Sequence, residues 1–291
     1  EDGVNGLYYH DGVGTYTNSS EEAGDNSYRY SGANPNNYVC FGSDVTTCPN
    51  DNLYRIIGLF DDDKDGTYNV KLIKNTSIGK YAWNSEHDNT WNSSINDWGN
   101  SSINGTLNTT FLNSLKVKWQ NKIQNTSWVV GGNTDSNIYN VSAKNAYLNE
   151  IVPDENVETY NGKIGLMYVS DYGYAAAPSN WTTALFDYND VTNTNWLYLR
   201  DDEWTITRHG DTSHNTIANT LNINRKYKVE FIAGDPTNGL DQAFHICADG
   251  SVFVSYIETN EYNIRPAFYL NPDVILKTGT GSISDPFKIN A

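Results

Sequence analysis

The chain is short of several things, and each shortage closes off a class of function. It has no apolar run near the ~20 residues that a bilayer-spanning helix needs, so no membrane insertion is expected of this segment. Lys and Arg total 19 against 35 Asp and Glu, a net charge of −16. Nucleic-acid binding needs clustered cations to neutralise phosphates, and docking on an anionic leaflet needs a polybasic patch; this charge suits neither. The acids are dispersed and read as solubilising charge. Proline is limited to 8 residues and no low-complexity tract occurs, which argues against a disordered chain. The opening "EDGVNGLYYH" lacks the charged-then-apolar pattern of a signal peptide. The chain therefore reads as a mature ectodomain whose leader or anchor would lie outside it.

Cysteine is scarce too, at 3 residues. Cys40 and Cys48 flank the polar loop "FGSDVTT" and are expected to pair, which implies an oxidising, extracellular or cell-surface location. Cys247, in the apolar "AFHICA", lacks the basic neighbours that make a thiolate and is expected to be an inert core thiol.

Aromatics are plentiful, with 21 Tyr, 8 Trp and 9 Phe. Asn, Ser and Thr abound and strong helix formers do not, which favours strands and ordered loops. "LYRIIGLF" (53–60) and "YNVKLIK" (68–74) read as a hairpin joined through the Asp- and Gly-rich "DDDKDGT". "GLYYH" and "NYVCFG" read as strands. Leu107, Phe111, Leu112 and Leu115 recur at helical spacing, with Thr106 as the cap. "SAKNAYLNEI" and "NWTTALFDY" are further short helices, and "KIGLMYVSDYGYA" is a buried strand. The last third reads as strands at "WLYLR", "EWTITR", "YKVEFIA", "AFHICA", "SVFVSYI" and "IRPAFYL". No internal repeat or linker interrupts the chain. One α+β domain over 1–291, with a β-rich N-terminal extension over about 1–50, is the expected organisation.

The order of elements in the last third carries a resemblance. "WLYLR", then "ICADGSVFVSYI", then "NIRPAFYLNP" resemble the C-terminal part of bacterial surface domains. These have the C-type-lectin-like fold shared with formylglycine-generating enzymes and with variable proteins of diversity-generating retroelements. The ending "KTGTGSISDPFKI" is similar to the closing strand of Gram-positive surface modules. "NPNNYVCFGSD", "NLYRIIGLF" and "FLNSL" resemble surface proteins of gut Firmicutes. The resemblance implies a C-type-lectin-like fold with antiparallel sheets, a few short helices and long ordered loops. The chain departs from the enzymes at one point: they work with a cysteine pair, and the matching region offers only Cys247. Within the pattern, Asp249-Gly250 suits a two-residue hairpin turn, Pro266 marks an edge or a strand start, and Arg200 and Arg265 are expected to anchor the fold by pairing with carboxylates or backbone.

Candidate sites follow from side-chain chemistry. Asp61, Asp63 and Asp65 with Gly66 form D-x-D-x-D-G, a spacing that could ring Ca²⁺; Leu72 stands where an EF-hand would need Glu, and the flanks are strands. No other cofactor is expected. His209 and His214 flank Asp211 without zinc-site spacing, and no H-E-x-x-H occurs. No G-x-S-x-G nucleophile elbow or phosphate loop is present, and Asp201-Asp202-Glu203 reads as a solvated turn. No catalytic motif remains, so the chain is read as non-enzymatic.

The resemblance places ligand contacts on loops near the C-terminal sheet, here "DDEWTITRHGD" and "YIETNEYNI". The expected binding residues are Trp204, Arg208, His209, Tyr256, Glu258, Asn260, Glu261 and Tyr262, whose rings and amide or carboxylate groups suit a glycan or protein partner. The resulting expectation is a Gram-positive extracellular adhesion or ligand-binding protein. The alternative is a pilin-like or surface-layer subunit that associates with itself.

Overall fold

The β-branched and aromatic runs pair as the sequence suggests. In the computed structural model, β4 (Leu53–Phe60) lies antiparallel to β5 (Asn69–Lys74), with Arg55 opposite Ile73 and Ile56 opposite Leu72. The structure describes residues 3–10, 23–61, 66–85, 98–130, 133–151, 159–209 and 242–289. The β4–β5 register slips between Ile56 and Gly58, a bulge of the kind that bends a strand. Gly58 also admits a neighbour: a Cβ there would stand 2.5 Å from the carbonyl oxygen of Tyr28 in the next strand, β2 (Tyr28–Tyr30).

This hairpin is the centre of an eight-stranded sheet. Its main path runs β1 (Leu7–Tyr9), β2, β4, β3 (Tyr38–Cys40), β15 (Phe287–Ile289), β14 (Leu276–Thr278), while β5 branches from β4 and pairs with β13 (Ala267–Tyr269). The three N-terminal strands are thus built into the sheet, and β15 lies parallel to β3. Cys40, at the end of β3, is bonded to Cys48 across a Cα–Cα distance of 5.7 Å. A second sheet of five strands runs β11 (Val252–Tyr256), β10 (Gln242–Ile246), β9 (Glu203–Arg208), β12 (Glu261–Asn263), β6 (Lys80–Ala82). β7 (Thr126–Val129) and β8 (Thr159–Gly162) form a separate ribbon.

Among the described residues, helices are few and short. The run over 102–114 opens as α1 (Ser102–Gly105), widens to a π-helical stretch over Thr106–Phe111 and closes as α2 (Leu112–Ser114). Its cap is Ser101, whose side chain accepts from the Asn104 amide; Thr106, expected as the cap, sits inside and donates to the Ser102 carbonyl. α3 (Val117–Gln120) and α4 (Ala143–Glu150) follow. The stretch read as one buried strand, "KIGLMYVSDYGYA", instead ends in α5 (Val169–Ala175), buried at every position. Uniform burial erases the periodicity that separates helix from strand. The deciding contacts are tertiary: Glu150 of α4 accepts from the amides of Val169 (3.0 Å) and Ser170 (2.8 Å) and so caps α5.

Two further expectations need correction. "WLYLR" forms no strand, and Arg200 takes a left-handed φ of 67°. "NWTTALFDY" contributes only a 3-10 segment, Leu185–Asp190. "YKVEFIA" lies outside the described residues.

A mixed α+β architecture results, mostly strands in antiparallel and mixed sheets. One hydrophobic cluster draws on residues from Tyr30 to Ile289 and includes Trp83, Trp98, Trp119, Trp128 and Trp204. Two buried cations beside it share one carboxylate: Lys71 Nζ stands 2.6 Å from Asp171 Oδ2, and Arg29 bridges Asp171 (3.6 Å) and Asp25 (2.7 Å). An unpaired buried charge would cost several kcal/mol. Among the described residues no helix is long and apolar enough to cross a membrane.

Candidate functional site

The second sheet is pinned by one buried ion pair. Arg265 donates from Nε and Nη2 to the two oxygens of Glu203, both at 2.7 Å, and from Nη2 to the Leu197 carbonyl at 2.6 Å. This planar fork meets a carboxylate squarely, which an ammonium cannot do. It fulfils the anchoring role expected of Arg265. Arg200 does not share that role; its guanidinium lies 5.6 Å over the Tyr198 ring. With Glu203 fixed, Asn263 of β12 pairs in parallel beside it, and this brings the neighbouring rings together. Tyr262 and Trp204 have centroids 4.7 Å apart, and His245 of β10 stacks on Tyr262 at 4.6 Å with a 27° interplanar angle.

Beside these rings three polar side chains converge. Sγ of Cys247 lies 3.4 Å from Nε2 of His245, and Oδ1 of Asp202 lies 3.9 Å from the same nitrogen. One donor atom from each of the three falls within 4.8 Å of the others. The backbone holds all three in place. Asp202 takes the Ala248 amide on its side chain and the Asn263 amide on its carbonyl. Cys247 is fixed by the hairpin turn, in which its amide donates to Ser251 and its carbonyl accepts from Gly250. Gly250 has the positive φ expected of it, 95°, but the connection spans Ala248, Asp249 and Gly250, one residue longer than the expected two-residue turn.

Burial sets the charge states. It lowers the His245 pKa to about 4, against an opposing pull from Asp202. It raises the Cys247 thiol above its ordinary value. At neutral pH the ring is therefore uncharged and the thiol protonated, which is the reverse of an activated Cys–His nucleophile. The geometry agrees. In a catalytic relay the thiol and the acid occupy opposite nitrogens of the imidazole, whereas here both face Nε2. Cys247 is half-buried rather than the fully buried core thiol expected from its strand, while its raised pKa keeps it unreactive as expected. Its environment is a His and a carboxylate, not apolar packing.

The expected binding residues divide. Trp204 and Arg208 are buried in β9, and the Trp204 indole donates to the Tyr81 carbonyl. Both therefore belong to the interior and not to a rim, because β9 is covered on both faces in the middle of its sheet. His209 is nearly covered and pairs with Asp135 at 3.0 Å. Tyr262 is half-buried and hydrogen-bonds Ser255 through its hydroxyl. Tyr256 and Glu261 are exposed, and Glu258 and Asn260 are half-buried in the loop between β11 and β12. Asp61 accepts from the Gly66 amide at 3.1 Å, while Asp63 and Asp65 lie outside the described residues.

Two features escaped the sequence reading. His245 and Cys247 stand two apart, a spacing that puts both on one face of a strand; "HIC" was therefore a readable signal, but Asp202 carries none. The second feature is an aromatic patch. Phe253 (40% exposed) stacks on Tyr139 at 5.4 Å and 20°, and Phe186 (46% exposed) lies 5.7 Å from Tyr139 and 6.0 Å from Phe253. In comparisons with known proteins, no family model, no curated protein and no solved structure matches the chain.

Proposed function

We propose that this is a non-enzymatic extracellular or cell-surface binding module of a Gram-positive bacterium, with a C-type-lectin-like fold over its whole length, that engages a glycan or protein through its C-terminal sheet and loops. The observation that carries this reading is the exposure of Phe186 and Phe253 around Tyr139, with Tyr256 (39% exposed) at the end of the same strand as Phe253. Aromatic faces of this kind offer contact area at low entropic cost, and sugars and protein epitopes both use them. The paired Cys40 and Cys48 suit an oxidising compartment. A glycan array and pull-downs from host or bacterial surface material should yield a ligand, and Phe253→Ala or Tyr256→Ala should weaken its binding at least about tenfold, as expected for a central aromatic contact. Folded protein without any hit, or hits indifferent to both substitutions, would overturn the reading.

A second reading is favoured by a separate observation. β14 terminates its sheet path and is exposed at all three positions. Ile275 (64%), Leu276 (43%) and Ile283 (64%) are exposed around it. An exposed edge strand with apolar side chains close to it in sequence can serve as a template for strand pairing between copies, as in a filament or surface-layer subunit. Concentration-dependent assembly in sedimentation velocity, abolished by Leu276→Lys, is the result this reading requires.

A further inference from the structure

We infer that Asp202, His245 and Cys247 form a binding site for a thiophilic divalent cation of the zinc class. The donor set is the first reason. A thiolate, an imidazole and a carboxylate together match zinc, and three protein donors leave a fourth position for water or another ligand. The spacing is the second. Donors at zinc bond lengths of ~2.0–2.3 Å in tetrahedral arrangement stand about 3.4–3.6 Å apart. The Cys247–His245 separation is 3.4 Å, the His245–Asp202 separation 3.9 Å, and all three donors lie within 4.8 Å of one another, so an inward movement of the Asp202 carboxylate by about an ångström would bring the set to zinc spacing.

The third reason is that the site is built. The His245 side chain is only 5% exposed, with Nε2 directed at the other two donors. Tyr262 stacks on the imidazole and Trp204 meets it edge-on at 5.8 Å, which fixes the ring plane. Asp202 and Cys247 are held by backbone hydrogen bonds and are partly open to solvent, which leaves an entry path. Convergence of thiol and acid on one imidazole nitrogen has no use in a proton relay, and it is what a shared central ion requires. On binding, the Cys247 proton passes to solvent and the thiolate takes its place at the metal. The inference is independent of any adhesive role.

The test uses the untagged chain, purified without chelator and handled anaerobically so that Cys247 stays a thiol. Zinc titration by calorimetry should give equimolar binding. Co²⁺ in place of zinc should give a thiolate-to-metal charge-transfer band. Cys247→Ser should abolish that band, and Cys247→Ser and Asp202→Asn should each weaken zinc at least about tenfold. Both residues are partly exposed, so these variants should keep the parent's circular dichroism and melting temperature; His245→Gln is the buried third arm. Absence of equimolar zinc in the parent chain, or zinc affinity unchanged in folded Cys247→Ser and Asp202→Asn, would overturn the inference.

Discussion

At the scale of single residues, buried polar groups carry the most information. Arg265 and Glu203 are 3% and 1% exposed, and each answers the other's charge. Arg265→Ala strands a buried carboxylate and is expected to cost ~3–5 kcal/mol in urea unfolding. Arg265→Lys should recover only part of this, because a lysine cannot make the two-pronged contact. His10 offers a different readout. It is fully buried, accepts the Ala23 amide on Nδ1 at 3.2 Å and packs against Tyr174 and Trp181. Burial, reinforced by Arg29, lowers its pKa from 6.5 to about 3. The unfolded chain therefore takes up a proton that the folded chain refuses. The His10 contribution is intact above pH ~6.5 and is lost as pH falls from there towards about 3, a loss on the order of 5 kcal/mol. His10→Asn should flatten this part of the stability–pH profile. Arg265 was readable as an anchor from "IRPAFY", since arginine in an apolar strand needs a partner. Its partner 62 positions earlier was not readable.

At the scale of elements, the contested ones were decided by contacts distant in sequence. α5 begins where Glu150 takes the amides of Val169 and Ser170, and Thr207 of β9 donates to the same carboxylate. Glu150→Ala leaves the buried Ser170 amide without an acceptor and the Val169 amide with only the Thr207 hydroxyl at 3.5 Å, an expected loss of about 2–4 kcal/mol by chemical denaturation. The β10–β11 hairpin depends on Gly250. Its φ of 95° is unfavourable for any side chain, and a Cβ there would lie 2.1 Å from Cγ2 of Thr192. Gly250→Ala should therefore destabilise by more than about 1 kcal/mol. Adding Thr192→Ser, which removes the obstructing methyl, should restore the steric part of that loss and not the conformational part; a double-mutant cycle by thermal melting separates the two. The β4–β5 hairpin was legible because its apolar runs and Asp-Gly connection are local signals. α5 was not legible, because a segment buried on every side presents no alternation to read.

At the scale of the whole molecule, the Cys40–Cys48 bond closes a short loop next to β3, where the last strand also returns. Constraining that loop in the unfolded chain is worth ~2–3 kcal/mol on the chain-entropy account. The Cys40→Ser/Cys48→Ser pair should lower stability by that amount while leaving zinc affinity at Asp202, His245 and Cys247 unchanged. A parallel loss of zinc binding in a folded double variant would contradict the separation of the two features.

By itself the sequence determined the net acidity, the strand-rich composition, the central hairpin and the disulfide pairing; it named Arg200 and Arg265 alike as anchors, and only Arg265 is one. Each of these rests on charge count, local periodicity or neighbouring residues. Only the tertiary structure decided that Trp204 and Arg208 face inward and that Phe186 and Phe253 face out. It alone joined Asp202 to His245 and Cys247, and it alone turned a stretch buried at every position into α5. These outcomes depend on which strands lie side by side, and strand order is set by packing between segments far apart in the chain.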